Sequence, residues 1–507
     1  MLDCKVTLVA GIPDDNNRDY LPEKLKNSTI VVNENGNNSQ PYPQRLTEHR
    51  AVLTADGQED VWYEYIPASY DPQRKVPLVV SMHGGLMTGW AQAVYTSWTL
   101  TAERAGFIVV FPNASDGRVW SVKWGAWENG QDAEQPPPPG VDVAPENVQD
   151  NHDMQMTLAL IEKMKQNYNI DEGRIFMQGM SMGNLMTSQF ARHFGSLLAG
   201  AAGSGCATFL SVLFDENGRL QNKGGPLDIW QSRPELNDIP PQKQLALKVN
   251  KYNRLYWMRL NECGPLPQIS IRGEDNFAFY TGKKADVVYL DIKNRDHGQT
   301  FDDAALVWDY LFSGARRLPD GTVTHGPTVC PRVGDVFAIA LVQGCSNAWF
   351  QNKIIPMGGP AVRWQKLKYH GLNGGQKVRG EYLCVPVAFL AEAFGGVLQT
   401  EQGGLRAVMT LPDGRVLQFA RGSIGCVIDT TLRSMYCEAL YCDGQLLVSA
   451  EWFCRALFNL HVSVCGEAMY CTDHDAALSE NMADLICDLL RGDAVPAGYG
   501  DLLQETK

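Results

Sequence analysis

The sequence predicts an α/β protein with a mostly parallel central sheet, followed by a small duplicated α+β domain. Between residues 46 and 318, short apolar runs alternate with helical patterns, which is typical of a parallel sheet covered by helices. Further on, residues 381–395 and 445–459 resemble each other at a spacing of 63 residues. A chain of 507 residues also exceeds what one hydrophobic core usually organises, so we expect at least two domains.

Residues 1–45 are predicted to form an N-terminal extension, because one strand-like run is followed by the Asn-rich, linker-like stretch NENGNNSQPYPQ. The chain begins MLDCKVTLVAGIPDD, with an acidic residue where a secretory signal carries positive charge, so no signal peptide is predicted. No apolar run reaches the roughly 18 residues that a membrane-spanning helix needs. The formal net charge of −13 disfavours nucleic acid and anionic lipid as partners. A neutral or hydrated substrate is expected instead.

The buried strands predicted for residues 46–318 are VPLVVSMHGG, GFIVVFPN, GRIFMQGM, LLAGAAGSG, PQISIRGED and ADVVYLDI. Residues 206–262, between the fourth and fifth of these runs, are predicted to be an insertion that caps a pocket. Residues 152–169 carry two apolar stripes at helical spacing and are predicted to form a helix packed closely on the sheet. The polar residues around its start, Asp150, His152 and Asp153, indicate an N-terminal helix cap rather than a metal site.

Ser181 is the candidate nucleophile. It lies in MQGMSMGN, a G-x-S-x-G motif at a predicted turn from a strand into a helix. A tight bend there exposes the hydroxyl group, and the glycines at 179 and 183 let neighbouring backbone approach without a Cβ. The motif is short, so its context has to support the assignment.

His297 is the candidate base and Asp275 the candidate acid. His297 follows the last apolar strand, from which a loop histidine points back across the strand ends toward Ser181. Asp275 lies in SIRGEDNF, just after the preceding predicted strand. The resulting chain order of Ser, Asp and His is that of α/β-hydrolases. Glu274 is the immediate neighbour of Asp275 and remains an alternative.

The developing oxyanion of an acyl-transfer reaction needs two backbone donors. The N–H of Met182 is one candidate, because it opens the helix after Ser181. Gly85 is the other, because VVSMHGGLM ends a strand in flexible backbone without side chains. His83, in the same motif, is predicted to anchor this loop by hydrogen bonds rather than to act as an acid or base.

Aromatic side chains cluster where active-site loops are expected, and flat rings stack on phenolic acids and sugars. Anchoring in the core or in a loop is the alternative for each of them. The candidate substrate-binding residues are Trp120, Trp124, Trp127 and Trp230.

Taken together, these motifs resemble carbohydrate esterase family one, the group of α/β-hydrolases that includes feruloyl and acetylxylan esterases and polyhydroxybutyrate depolymerases. The resemblance covers residues 50–315 and rests on PLVVSMHGG, WTLTAERAGFIVVFPN, NHDMQMTLALIEKMKQNYNIDEGRIFMQGMSMGN and RDHGQTF. It implies an α/β-hydrolase fold, a serine esterase mechanism and secretion or cell-surface location. Many members have a longer gap before the acid than RGEDNF allows, which leaves Asp275 in doubt.

Residues 319–364 are predicted to be a linker and residues 365–495 a duplicated accessory domain. In the repeat, Val385 corresponds to Val448 and Phe389 to Trp452, and each copy is predicted as a strand end followed by a short helix. The second copy has Phe458 at the position of Gly395, so its turn is expected to differ. LCVPVAFLAEAFG resembles the stalk-like domain named after the N-terminal part of copper amine oxidases. No copper is implied, because the histidines here have no ligand spacing.

Of the 13 cysteines, three precede residue 320 and ten follow it. No C-x-x-C pair occurs, so zinc-ribbon and thioredoxin-like sites are not predicted. Free thiols acting as small apolar side chains and disulfides within the C-terminal part both remain open.

The function predicted from sequence is a serine carboxylic-ester hydrolase, most specifically a feruloyl esterase that acts on plant polysaccharide through an acyl-enzyme. Polyester depolymerase and acetylxylan esterase are the alternatives with the same machinery. A surface-binding protein with a relic hydrolase domain is the alternative of another class. No dinucleotide or phosphate fingerprint occurs, so no cofactor is predicted. Self-association through the C-terminal domain is a further hypothesis.

Overall fold

The computed structural model describes residues 43–115, 119–127, 144–236, 238–297, 300–370 and 375–492. The predicted N-terminal extension lies almost entirely outside these ranges. The chain divides into two compact units. Within the described ranges, the first contains residues 43–265 together with Ala278–Arg332, and the second contains Leu266–Phe277 and residues 333–492.

Twelve strands are described between residues 43 and 325. They are β1 Leu46–Val52, β2 Glu59–Tyr65, β3 Val76–Met82, β4 Ile108–Pro112, β5 Ile170–Met180, β6 Gly200–Ser204, β7 Asp228–Pro234, β8 Gln268–Arg272, β9 Asp275–Tyr280, β10 Val287–Ile292, β11 Ala315–Arg317 and β12 Val323–His325. The helices are α1 Gly89–Tyr95, α2 Trp98–Ala105, α3 His152–Asn167, α4 Met182–Phe194, α5 Leu210–Leu213, α6 Lys243–Leu260 and α7 Asp303–Val307, which continues into the π-helical turn Trp308–Phe312.

The central sheet of the first unit runs in the order β1-β2-β4-β3-β5-β6-β7-β10. The pairs from β4 to β10 are parallel, and β1 and β2 add antiparallel strands at one edge. Every residue of β3, VPLVVSM, is buried, which is typical of a parallel strand covered on both faces. The unit is therefore an α/β layer structure around a large mixed sheet, and the carboxyl ends of its parallel strands share one edge.

Helix α3 covers this sheet with most of its two predicted apolar stripes. Met154, Met156, Leu160, Ile161 and Met164 are buried, whereas Leu158 is only partly buried. The helix begins at Asn151, whose side chain accepts a hydrogen bond from the N–H of Met154. A cap is therefore present as predicted, but the capping residue is Asn151 and none of the three residues named from the sequence.

The segment predicted as a cap, residues 206–262, contains β7 and α6. β7 pairs with β6 on one side and β10 on the other, so it is a strand of the central sheet rather than part of a lid. The sequence pattern missed it because DIWQSRP contains polar residues, although all seven of its residues are buried. Asp238, which follows β7 in the chain, therefore lies after a strand of the central sheet and not within a cap.

The second unit is rich in strands. They are β13 Ala338–Val342, β14 Asn347–Phe350, β15 Lys353–Pro356, β16 Val362–His370, β17 Gly375–Pro386, β18 Val397–Glu401, β19 Arg406–Thr410, β20 Val416–Ala420, β21 Gly425–Ile428, β22 Thr431–Ser434, β23 Leu440–Cys442, β24 Gln445–Ser449, β25 His461–Cys465 and β26 Ala468–Thr472. Its helices are α8 Val387–Ala393, α9 Ala450–Trp452 with the π-helical turn Phe453–Leu457, and α10 Glu480–Arg491.

These strands form three sheets, in the orders β15-β14-β13-β26-β25, β16-β17-β24-β23 and β18-β19-β20-β21-β22. The segment predicted as a linker, residues 319–364, is therefore divided: residues 319–332, with β12, belong to the first unit, and residues 333–364 supply β13, β14, β15 and the start of β16. β13 pairs along its whole length with β26, with Ala338 opposite Thr472. Residues 333–364 therefore belong to the fold of the second unit.

The two repeat copies each contain a strand followed directly by a short helix, β17 with α8 and β24 with α9. β17 and β24 pair antiparallel, with Val385 opposite its repeat equivalent, Val448. The left-handed residue after the helix is Gly395 in the first copy and Asn459 in the second, one position later than the spacing predicts. The π-helical turn in the second copy accounts for this shift, because it accommodates one additional residue.

No helix in the described ranges is long and apolar enough to cross a membrane.

His325 of β12 forms an ion cluster at the amino-terminal ends of β7 and β10. Its Nε2 lies 2.6 Å from Asp228 Oδ1 and 3.6 Å from Asp286 Oδ2, and Arg332 Nη2 lies 2.6 Å from the same Asp286 oxygen. Burial lowers the pKa of His325, but the hydrogen bond and charge of Asp228, with the charge of Asp286, outweigh it and leave the pKa raised from 6.5. The charged imidazole therefore links the β11–β12 hairpin to the central sheet.

We expect His325→Gln to destabilise the protein more at pH 6 than at pH 9. A raised pKa means that the stabilisation is complete below the unfolded-state value and disappears as the pH rises through the folded-state value. The expected loss at pH 6 is roughly 1 to 2 kcal/mol, measured by urea unfolding. His461→Gln is the control, because His461 is half-exposed and lies 3.9 Å from Asp475. A pH-independent effect of His325→Gln would contradict this account of the cluster.

Candidate active site

Ser181 occupies a strained turn between β5 and α4. Its backbone has φ 54° and ψ −117°, a conformation that residues with a side chain rarely adopt. The N–H of Ser181 donates to the carbonyl oxygen of Ser204 at 2.9 Å, at the end of the neighbouring strand β6. The carbonyl of Ser181 accepts from the N–H of Asn184 at 2.9 Å, which starts the helix. The turn is therefore held on both sides, and strain of this kind is concentrated at functional sites.

The two glycines of the motif are required by contacts between backbones. A Cβ on Gly179 would lie 2.0 Å from the carbonyl oxygen of Gly183, and a Cβ on Gly183 would lie 2.3 Å from the carbonyl oxygen of Met82. Both distances are far shorter than a van der Waals contact. The end of β5, the start of α4 and the end of β3 therefore meet at a point where no side chain fits.

His297 follows β10 and meets Ser181 at this edge of the sheet. Its Nε2 lies 3.0 Å from Ser181 Oγ. Burial of the imidazole lowers its pKa below 6.5, and the nearby charges of Asp238 and Asp296 partly offset that effect. A neutral imidazole at this distance is able to accept the hydroxyl proton. Its other nitrogen, Nδ1, is buried and has no hydrogen-bond partner within the described ranges.

Asp238 is the buried carboxylate whose charge acts most strongly on His297. It follows β7, and its two oxygens accept hydrogen bonds from the N–H of Ile239 at 2.8 Å and from Asn250 Nδ2 at 2.7 Å. The Oδ1 of Asn250 in turn accepts from Arg233 Nε at 2.9 Å. Burial raises the pKa of Asp238, and the charge of Arg233 and these hydrogen bonds counteract the rise. Its carboxylate is therefore fixed in orientation by neighbours on β7 and α6.

The predicted acids, Asp275 and Glu274, are not among the groups whose charges shift the pKa of His297. Both belong to the second unit, whereas Ser181 and His297 belong to the first. The prediction assumed that the strand PQISIRGED is the parallel neighbour of β10, the strand that His297 follows. In the structure that neighbour is β7, and Asp275 is the first residue of β9. Asp238 was not among the residues predicted from the sequence, because β7, which it follows, was assigned to a cap.

The two predicted oxyanion donors lie close to each other. A Cβ on Gly85 would be 3.0 Å from Met182 Cγ, so the backbone after β3 touches the first residue of α4. The N–H of Met182 belongs to the first turn of the helix and has no partner within it. The backbone around Gly85 and the start of α4 therefore border the same small space beside Ser181.

His83 anchors this loop, as predicted. Its Nε2 accepts from the N–H of Ala114 at 3.0 Å, and its Nδ1 donates to the carbonyl oxygen of Gly84 at 2.6 Å. Trp120 donates from Nε1 to the carbonyl oxygen of His83 at 2.8 Å, and the two rings lie 4.7 Å apart. Both ring nitrogens of His83 are engaged in hydrogen bonds to backbone groups, so its role is to hold the loop in place.

The four candidate aromatic residues separate into two groups. Trp120 and Trp230 are fully buried, with exposures of 0% and 1%, and are unable to stack on a substrate in this conformation. Trp120 packs on His83, and Trp230 lies within β7. Trp124 and Trp127 are only partly buried, and their ring centroids lie 5.3 Å and 4.1 Å from that of Phe209.

Acidic and histidine side chains near α3 form structural contacts. His152 lies 2.5 Å from Asp56 Oδ2 and 2.8 Å from Asp60 Oδ1. Asp153 is buried and accepts hydrogen bonds from the N–H groups of Ser115 and Ser121. Within the described ranges, one group has the spacing of metal ligands, namely Asp228, Asp286 and His325. Arg332 already pairs with that group, which lies at the amino-terminal edge of the sheet rather than the edge that carries Ser181.

Comparisons with known proteins identify esterases among the similar proteins, although no protein-family model matches the chain. The bifunctional acetylxylan esterase/xylanase XynS20E of Neocallimastix patriciarum is 23% identical over 252 residues. That match covers 49% of this chain and 32% of the relative, so the chain spans about a third of the relative's length.

Two solved structures are similar to about half of the chain. The acetyl xylan esterase from Aspergillus awamori is 14% identical, with a TM-score of 0.38, and the match covers 53% of this chain and 99% of that one. The CE1 ferulic acid esterase AmCE1/Fae1A from Anaeromyces mucronatus, in complex with ferulic acid, is also 14% identical, with a TM-score of 0.33. It matches 59% of this chain over 95% of its own.

We expect Gly179→Ala and Gly183→Ala each to destabilise the protein by about 1 to 3 kcal/mol, because the added methyl group must displace backbone. Urea unfolding of the purified variants measures this. Gly264→Ala is the matched control, since a Cβ at that position meets no atom within 4 Å. Equal stability of all three variants would show that the turn at Ser181 is looser than the contacts indicate.

Proposed function

We propose that the first unit is a serine carboxylic-ester hydrolase with an α/β-hydrolase fold. Ser181 is the nucleophile, His297 the general base and Asp238 the acid whose negative charge favours the protonated imidazole. The observation that carries this proposal is the 3.0 Å contact between His297 Nε2 and Ser181 Oγ at a strained strand-to-helix turn. The esterase names of the similar proteins are consistent with it.

The reaction follows from this geometry. His297 takes the proton from Ser181 as the serine oxygen attacks the ester carbonyl carbon, and the carbonyl oxygen becomes an oxyanion that the N–H groups of Gly85 and Met182 bind. Collapse of this intermediate breaks the bond to the alcohol, which leaves with the proton from His297. A water molecule then repeats the sequence on the acyl-enzyme and releases the carboxylic acid.

A fluorophosphonate probe should label the protein, and Ser181→Ala should abolish both labelling and the hydrolysis of 4-nitrophenyl acetate. Ser204→Ala is a matched control, because Ser204 is a buried serine on the next strand whose backbone carbonyl holds the turn. It should keep the labelling. If neither the unsubstituted protein nor the control is labelled, the first unit is better described as a relic within a surface-binding protein.

The proposed substrates are acyl esters of plant cell-wall polysaccharide, with a feruloyl or related hydroxycinnamoyl group as the preferred acyl part. The partly exposed rings of Trp124 and Trp127 support an aromatic group. Leu86, which follows Gly85 and is 66% exposed, adds an apolar surface beside the oxyanion donors. Acetylxylan is the second candidate, favoured by the name of the curated relative.

Rates on methyl ferulate, acetylated xylan and a hydroxybutyrate oligomer separate these substrate classes. Under the proposal, methyl ferulate has the highest kcat/KM, and Trp127→Ala lowers it more than it lowers the rate on acetylated xylan. Rapid deacetylation of xylan without ferulate release would assign the acetyl substrate. Rapid cleavage of the oligomer alone would assign a polyester depolymerase.

We expect the acid limb of the kcat/KM profile to lie below pH 6.5, because burial lowers the pKa of His297 and the enzyme needs the imidazole neutral. Asp238→Asn should move this limb to still lower pH, since the lost negative charge favoured the protonated imidazole. It should also reduce kcat/KM at pH 8 by about a thousandfold or more, because the imidazolium formed during the reaction loses its counter-charge.

Asp275→Asn is the control for this assignment, and its pH profile should match that of the unsubstituted enzyme. A large loss with Asp275→Asn and none with Asp238→Asn would restore the acid predicted from the sequence. The measurement is a series of initial rates on 4-nitrophenyl acetate between pH 4 and pH 9.

The second unit is proposed to be an accessory module for attachment, self-association or substrate contact. The separate core of this unit and its internal duplication support a role distinct from that of the first unit.

A further inference from the structure

Two buried thiols meet on one face of the four-stranded sheet β16-β17-β24-β23 in the second unit, opposite the face that carries the large core. Side chains of β17 alternate between its two faces, so that Leu383 and Val385 join the large core while Cys384 points to the opposite side. There Cys384 packs with Cys437 and Leu447 in a small buried cluster. Both cysteines have an exposure of 0%.

The segment around Cys437 crosses this face and contacts it at three consecutive residues. Tyr436 packs on Tyr382, with ring centroids 5.3 Å apart. Glu438 accepts a hydrogen bond from Trp364 Nε1 at 2.8 Å. Between these two contacts, the Sγ of Cys437 lies 3.5 Å from the Sγ of Cys384. The two sulfur atoms are therefore held against each other by flanking contacts on both sides.

We propose that Cys384 and Cys437 form an intrachain disulfide bond when the protein meets a disulfide oxidant. Shortening the 3.5 Å contact to a bond requires a shift of about 1.5 Å, which rotation of two side chains can share. The small size of the cluster on this face is a reason for such a link, because limited apolar burial stabilises a layer weakly. The bond would tie the segment between β22 and β23 to the strand at the centre of the sheet.

The chemistry is thiol–disulfide exchange with a small disulfide such as oxidised glutathione. The thiolate of one cysteine attacks the oxidant, forms a mixed disulfide and releases one glutathione thiolate. The second cysteine loses its proton, attacks the protein sulfur of the mixed disulfide and releases the second glutathione. Two protein thiols are oxidised, one molecule of oxidised glutathione is reduced to two thiols, and the protons pass to solvent or to those thiols.

The test uses the full chain, purified with reductant, unfolded and then refolded in a glutathione redox buffer, because both thiols are fully buried in the folded chain and reach the oxidant only while it folds. Free thiols are alkylated under denaturing conditions, and the unreduced protein is digested and analysed by mass spectrometry. We expect a linked pair of peptides that contains Cys384 and Cys437 and that separates on reduction. The oxidised chain should also unfold about 5 to 10 °C above the reduced chain.

Cys437→Ser should remove both the linked pair and the dependence of the melting temperature on reductant. Cys426→Ser is the matched control, because Cys426 is a buried cysteine of β21 in the same unit, and it should retain both. Complete alkylation of Cys384 and Cys437 after oxidation would overturn the proposal, as would a link from either of them to Cys442. This readout on the unsubstituted chain decides the matter even if Cys437→Ser folds poorly.

Discussion

The packing of three backbone segments around the turn at Ser181 is the constraint on which the rest of the first unit depends. The ends of β3 and β5 and the start of α4 approach so closely that a methyl group at Gly179 or Gly183 would overlap a carbonyl oxygen. This approach forces Ser181 into positive φ and places the Met182 N–H beside the loop that contains Gly85. Parallel strand order then brings the segment after β10 to the same edge, where His297 meets the serine.

Electrostatics at this edge balance two opposing requirements. A general base must stay neutral before the reaction, and burial of His297 favours the neutral form. The same imidazole must carry a positive charge during the reaction, and a nearby carboxylate favours the charged form. Asp238, the proposed acid, accepts a hydrogen bond from Asn250, which in turn accepts one from Arg233. The proposed acid is thus part of a buried polar network rather than an isolated side chain on a loop.

Sequence reasoning predicted the parts of the candidate site whose geometry depends on local pattern. The motif around Ser181 predicts its own turn, because glycine spacing and strand-to-helix transitions are visible in a short window. His297 was accessible for a similar reason, since it follows a continuous apolar run. The position of Asp238 was not, because it depends on β7 lying between β6 and β10, a non-local pairing that the polar sequence DIWQSRP does not reveal. The burial of Trp230, a residue of the same strand, was missed for the same reason.

The same distinction between local and non-local information explains which elements of the second unit were predicted from the sequence and which were not. The repeat was visible in the sequence because β17 and β24 pair with each other, so that equivalent positions such as Val385 and Val448 share one environment and require similar side chains. β13 has no such internal copy. It pairs with β26, more than a hundred residues later in the chain, and its sequence AIALV reads equally well as a short apolar stretch of a linker. A strand pair built from two copies of one motif is thus visible as a repeat in the sequence, whereas a long-range pair of unrelated strands leaves no such pattern.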